Sequence, residues 1–363
     1  MTPRPASSAT LVFPAVDRGA IDYVAGARQR GEATVCAASV ASPEVAAECG
    51  EVHRLPSIYD ADFAERFLAL VETHDVARVF CPVAGVHAFV RRFIATRGLA
   101  LAVLGASPIT QQVEAHRRLM ARAQRLLPLA ETCADGAATL SLVELAGVLR
   151  QAGLIYGESN DDKLAAMIGI AADAPAGDVV EIGSLMGRSA SVLLYLAWRH
   201  QLGPLLTIDP WTAGNALQRQ SPQSFQELVD EWDFEVLREG FLVNMVPLRA
   251  ERHAHLRLPS AAAFEVYAQG QPIAASPESA PPIAFGGRIG LIHIDGNHDY
   301  DCVANDCRQW LPRVLPQAWL ILDDYLWAHG DGPYRVGNAL LHEQGERVSR
   351  AFTCGKALFV KFK

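Results

Sequence analysis

Residues 179–191 read VVEIGSLMGRSAS, a β-branched run that stops at a glycine and turns into a helical stretch. Three β-branched residues around Glu181, then Gly183, Ser184, Gly187 and Ser189, have the form of a buried parallel strand passing through a tight turn into a helix. In open α/β sheets ligands bind beyond the carboxyl ends of the strands, so this turn is where chemistry is expected. Its glycines allow a ligand close to the backbone, and the following helix offers free N–H groups and a positive dipole end to an anion. The spacing is GxxxG, whereas a dinucleotide pyrophosphate wants GxGxxG, so a single carboxylate suits it better.

Further along, LLTIDPW, LVNMVPL, RIGLIHID and AWLILDDY also read as buried strands that end in polar residues. Helices fit between them at Arg188 to His200, around Phe225 to Arg238, and at Tyr300 to Leu311. The chain closes with VSRAFTCGKALFVKF, two strands about a Cys-Gly turn, an antiparallel hairpin at a sheet edge. Residues 176–363 are therefore expected to form a seven-stranded, doubly wound sheet with a terminal hairpin. Asp209, in IDPW, closes the second strand where an acid can accept hydrogen bonds from ribose hydroxyls. An adenosine carrying a small anion is the ligand this pair of strand ends predicts.

The first 110 residues alternate short β-type runs (TLVFPAV, ATVCAAS, VARVFCPV, LALAVLG) with helical stretches, the pattern of a second, smaller doubly wound α/β domain. PAVDRG follows its first strand and lacks a phosphate-binding fingerprint. This region resembles, in pattern only, the Rossmann-like domain that precedes ATP-grasp domains; scaffold, oligomer contact and substrate recognition are its expected uses. Residues 111–175 read as a helical connector with breaks at Pro128, Asp135-Gly136 and Gly153. Within it, Ser159-Asn160 followed by Asp161-Asp162 reads as a helix N-cap with acids in the first turn. Residues 259–288, rich in Pro, Ala, Ser and Gly, form an insertion long enough to be a lid, a subunit contact or a disordered loop.

The 363 residues carry a formal charge of −8 without a basic stripe, which argues against nucleic acid or an anionic membrane and for a small-molecule partner. Seven cysteines, at 36, 49, 81, 133, 302, 307 and 354, show no metal-binding spacing and read as reduced thiols. The opening MTPRPASSAT has no charged-then-apolar export pattern, and no apolar run approaches the roughly 20 residues of a membrane span, so a cytoplasmic protein is expected. Self-association into a homo-oligomer is compatible with the extra domain and the insertion.

VEIGSLMGRSA, TIDPW, HIDGNHDYD and LILDDY, in this order, resemble the class I S-adenosylmethionine-dependent methyltransferases over about residues 150–363. Within that class they look like the divalent-metal-dependent O-methyltransferases, which include catechol-type and macrolide- or aminocoumarin-sugar enzymes. The resemblance implies that Glu181 and Gly183 lie along the methionine part of S-adenosylmethionine, that Ser189 meets its carboxylate, that Asp209 holds the ribose, and that Ser184 and Gly187 are also cofactor-binding. It also implies that Asp295, at the end of the fourth strand, faces both cofactor and metal, and that Asp323 and Asp324 complete the metal site. Three carboxylates at one rim repel one another unless protonated or neutralised by a cation, and hard oxygen donors favour Mg²⁺.

His298 stands three residues after Asp295, where catechol-type enzymes carry a lysine that removes the hydroxyl proton; an imidazole suits that task at neutral pH. His293, inside the strand, reads as a core histidine. On the adenine side Glu251 is the candidate, while His253 and His255 read as part of a solvated helix face. Trp211, Tyr325, Trp327 and His329 follow strand ends and are candidate walls of the substrate pocket. The expected reaction is O-methylation of a small-molecule hydroxyl. Two alternatives stay open: a metal-independent methyltransferase using His298 as base, and a non-catalytic nucleotide- or cofactor-binding protein.

Overall fold

The computed structural model describes residues 8–40, 42–219, 221–248, 252–276, 281–326, 328 and 330–363. The chain divides into two compact units, Met1–Arg118 and Leu119–Lys363. Glu251, Trp327 and His329 lie outside the described residues.

The first unit is built on β1 (Ala9–Val12), β2 (Thr34–Ala38), β3 (Val52–Arg54), β4 (Val76–Phe80) and β5 (Ala102–Val103), all parallel, in the order β3-β2-β1-β4-β5. β1 is buried along its length, as expected for a central strand covered on both faces. One face of the sheet packs on Phe63, Phe67, Val90 and Ile94, the other on Ile21, Val24 and Val45.

The second unit holds β6 (Asp178–Ile182), β7 (Leu205–Ile208), β8 (His253–Leu256), β9 (Ile289–Ile294), β10 (Val314–Leu322), β11 (Val348–Cys354) and β12 (Ala357–Phe362). Their order is β11-β12-β10-β9-β6-β7-β8. All neighbours are parallel except β12, which runs antiparallel to both β10 and β11. Register sets the level at which each strand ends. Ile182 pairs with Ile208 and Ile294, and Leu322 pairs with Ile294, so the next residue of each strand, Gly183, Asp209, Asp295 and Asp323, emerges at one level of the sheet's carboxyl edge.

Three expectations need correction. LVNMVPL is not a strand: its first half ends the helix Phe234–Met245, and the edge strand is His253–Leu256. A short apolar run has no period that separates a buried helix turn from a strand. His253 and His255 accordingly lie in β8 rather than on a solvated helix face; His253 is fully buried, hydrogen-bonded through Nε2 to Thr207 Oγ1 (2.8 Å), and burial lowers its pKa to about 3. The helix Pro108–Cys133 continues through Pro128.

The insertion is ordered over its described part. It contains the helix Ser260–Ala268 and the bridges Ala254–Ala275 and Ile273–Ile283, with Ile273, Ala275 and Ile283 buried. The Asp178 carboxylate, at the amino end of β6, accepts hydrogen bonds from Tyr267 Oη (2.7 Å), Gly286 N (2.9 Å) and Gly287 N (2.8 Å). Among the described residues no helix is long and apolar enough to cross a membrane.

Candidate active site

The turn after β6 is held by backbone geometry before any side chain acts. Gly183 has φ +85°, and a Cβ there would stand 2.0 Å from the Asp295 carbonyl oxygen, so β6 and β9 can approach this closely only at a glycine. Asp209 organises this turn and its own through three backbone N–H groups. Its Oδ2 accepts from Ser184 N (3.0 Å) and Leu185 N (2.9 Å), and its Oδ1 from Trp211 N (2.8 Å). Burial pushes the Asp209 carboxyl above its ordinary range, against the pull of these three N–H groups. Leu185 and Trp211 both take positive φ here, +46° each, backbone strain that the Asp209 hydrogen bonds hold in place.

Gly183, Ser184, Ser189, Asp209, Trp211, Asp295, His298, Asp323 and Asp324 all line one cavity of about 1010 Å³. That volume is at the upper end for small-molecule sites, large enough for a nucleoside cofactor and a second molecule. Glu181 and Gly187 do not line it. Glu181 is fully buried beneath the turn, accepting from Ser184 Oγ (3.0 Å) and from His293 Nδ1 (3.0 Å). Gly187, at φ +91°, is packed against Phe241, which a Cβ would reach at 3.0 Å. Tyr325 is also outside the lining; its hydroxyl meets Asn338 at 3.3 Å.

The acidic residues converge as the register requires. Asp323 and Asp324 are 6% and 7% exposed, and His298 sits between the acids, Nδ1 3.3 Å from Asp324 Oδ2 and Nε2 3.7 Å from Asp295 Oδ1. Gln218 Nε2 approaches the same Nδ1 at 3.3 Å. Burial alone would lower the His298 pKa, but Asp295 and then Asp324 raise it above the usual histidine value. His293 is fully buried, as expected of a core histidine; beside its bond to Glu181, its Nε2 is 3.6 Å from Asp295 Oδ2, and His293, Asp295 and Asp323 offer ligand atoms within 4.8 Å of one another.

Two lysines that the sequence alone does not single out complete the cluster. Lys163 lies in the first turn of the helix Asp161–Ala172, whose N-cap is Asn160, accepting from Lys163 N (2.9 Å). Its Nζ binds Asp323 Oδ2 and Asp295 Oδ2, the latter at 3.3 Å. Burial lowers an ammonium pKa, yet Asp295 and Asp323 outweigh it and hold Lys163 above its ordinary value. Burial likewise pushes both carboxyls up; the Lys163 charge wins at Asp323, which stays below the carboxylate range, while Asp295, facing the Asp323 charge as well, is raised. Lys356, in the turn between β11 and β12, places Nζ 2.7 Å from Asp324 Oδ1. The positive charge that three clustered carboxylates require is thus partly supplied by the chain.

Residues 180–325 match the family model described as a methyltransferase domain; the match lies within the second unit. No curated protein matches the chain. Similar solved structures include the O-methyltransferase NovP (13% identity, covering 63% of this chain and 84% of that one, TM-score 0.38). The calicheamicin methyltransferase CalS11 is another (12%, 71% and 94%, 0.38), as is the methyltransferase PaMTH1 of Podospora anserina bound to S-adenosylhomocysteine (13%, 64% and 92%, 0.38). The part of the second unit that holds the ends of β6, β7, β9 and β10 is thus the part that matches a methyltransferase domain.

Proposed function

We propose that the chain transfers the methyl group of S-adenosylmethionine to a hydroxyl of a small molecule, with the cofactor over the β6 and β7 ends and the acceptor at the edge formed by Asp295, Asp323 and Asp324. The observation that carries this reading is that the Asp209-bonded turn and the three aspartates with His298 line the same cavity. Ser189 and the free N–H groups at the start of the helix Arg188–Arg199 suit the cofactor's carboxylate, and Asp209 suits its ribose. The cofactor supplies a sulfonium methyl, already reactive, so the chain's own part is to position and to move a proton. The acceptor O–H gives its proton to His298, its oxygen forms the new bond to the methyl carbon, and the sulfur keeps the electron pair of the bond that breaks.

The aspartates also fit a divalent cation. Their donors are hard oxygens, and Asp323 Oδ1 is buried without a hydrogen bond among the described residues. Mg²⁺ held by Asp295, Asp323 and Asp324 would add Lewis acidity toward the acceptor oxygen. A second reading, transfer without metal, is favoured by the ammonium groups of Lys163 and Lys356, which already pair the same acids. Chelation separates the two: loss of turnover with EDTA and recovery with Mg²⁺ supports the first, an unchanged rate the second.

The main test uses a panel of catechols, sugars and polyols with labelled S-adenosylmethionine. His298→Gln is expected to lower kcat by roughly 10²- to 10⁴-fold, the range of general-base catalysis, with cofactor affinity unchanged. Full turnover in that variant removes His298 from the mechanism; no binding of S-adenosylmethionine to the wild type removes the reading itself.

A further inference from the structure

The acidic edge has a floor as well as a mouth. Lys163 enters from the interior side: it is 2% exposed and absent from the cavity lining, whereas Asp295 and Asp323 both line it. Its ammonium takes one oxygen of each carboxylate, the two Oδ2 atoms. Of the two remaining oxygens, Asp295 Oδ1 is 3.7 Å from His298 Nε2, and Asp323 Oδ1 has no hydrogen bond among the described residues.

We propose that Lys163 is the resident cation of this edge. It neutralises the Asp295–Asp323 pair from within and fixes both side chains by their Oδ2 atoms, leaving each a second oxygen that the ammonium does not take, so that the acceptor-binding edge is assembled with no divalent ion bound. The inference deepens the proposed function and rests on its placing the acceptor at these aspartates.

Two carboxylates within reach of one nitrogen repel each other and need a positive charge nearby. An exchangeable ion would leave the pair unsupported whenever it departs; a lysine tethered to the backbone cannot leave. Residues Leu164–Ala171 of the same helix are buried all round, so an apolar side chain of similar length would fill the position without the desolvation cost of an ammonium. The cost is offset only if the charge is used. The lysine is also held in place from outside: the Gly355 turn packs so closely that a Cβ there would be 3.1 Å from Lys163 Cβ and 2.7 Å from Asn160 Oδ1. A divalent ion, when bound, then has the acceptor as its task and not the assembly of the site.

The test is thermal unfolding of the full chain in excess EDTA and in millimolar Mg²⁺, a readout independent of turnover. Wild type is expected to lose no more than a few degrees in EDTA, the share that ion binding to the native state adds by mass action. K163M should lose on the order of 10 °C in EDTA, as expected when one partner of a buried pair is removed, and regain much of it in Mg²⁺. The double variant K163M/D323N, which removes the stranded charge, should regain it without Mg²⁺. A wild-type fall on chelation as large as that expected of K163M would overturn the inference, because the edge would then need the ion. So would a K163M protein as stable as wild type, or one equally weak with Mg²⁺ and in the double variant. If K163M fails to fold, the wild-type arm and the double variant still decide. Absent methyl transfer would defeat the function without moving these temperatures.

Discussion

Asp306 is a carboxylic acid whose surroundings favour its neutral form. It lies on the helix Tyr300–Trp310, 5% exposed, at the cavity wall, and burial pushes its pKa up to about 6. Its value in the unfolded chain is near 3.9, so the folded state binds this proton more tightly. Stability from this residue is therefore complete below about pH 4 and is lost as pH rises to about 6, after which the cost stays constant at roughly 3 kcal/mol at most. Asp306→Asn is expected to raise the melting temperature at pH 8 by several degrees and clearly less at pH 5; equal shifts at both would show that the carboxyl is not held neutral. At this scale the sequence makes legible that Asp209, Asp295, Asp323, Asp324 and His298 lie at one edge and line one cavity, because residues just past strand ends share an edge whenever the register is even. Lys163 is not legible. A lysine after two aspartates reads as a solvated helix start, and only the eight buried residues that come after it, Leu164–Ala171, signal that its side chain points inward.

The elements divide by function along the strand axis. The carboxyl ends carry the cavity, while the amino end of β6 anchors the insertion through Asp178. Asp178→Ala removes three hydrogen bonds to a buried charge, each worth roughly 1–3 kcal/mol in such settings, though they share one acceptor. The expected result is a loss of about 3 kcal/mol and faster protease cleavage within residues 269–288, with affinity for S-adenosylhomocysteine kept within a few-fold. Unchanged cleavage would mean that the bridges Ala254–Ala275 and Ile273–Ile283 hold the segment by themselves. Four of the second unit's five parallel strands, β6, β7, β9 and β10, and the hairpin are legible because long β-branched runs between helical stretches leave few topologies. β8 is not, since HAHL looks polar, and its burial depends on Thr207 and Phe241 contributed by other parts of the chain. Three residues of β3 are too few to show a pattern.

For the molecule as a whole, two compact units, of which only the second matches a methyltransferase domain, raise the question of what the site requires. All the residues lining the cavity fall between Tyr156 and Lys356, within the second unit. Residues 119–363 alone are therefore expected to fold and to bind S-adenosylhomocysteine within a few-fold of the full chain by calorimetry; loss of binding in a folded fragment would give the first unit a part in the site. That one cavity holds the cofactor and the acceptor edge together is tested most directly by a crystal structure with S-adenosylhomocysteine. The prediction is ribose hydroxyls on Asp209 and the sulfur facing Asp295 and His298, with room for an acceptor oxygen roughly 3–3.5 Å from the methyl position. An adenosine bound elsewhere, or a cofactor whose own carboxylate fills the space before Asp295, Asp323 and Asp324, would contradict it.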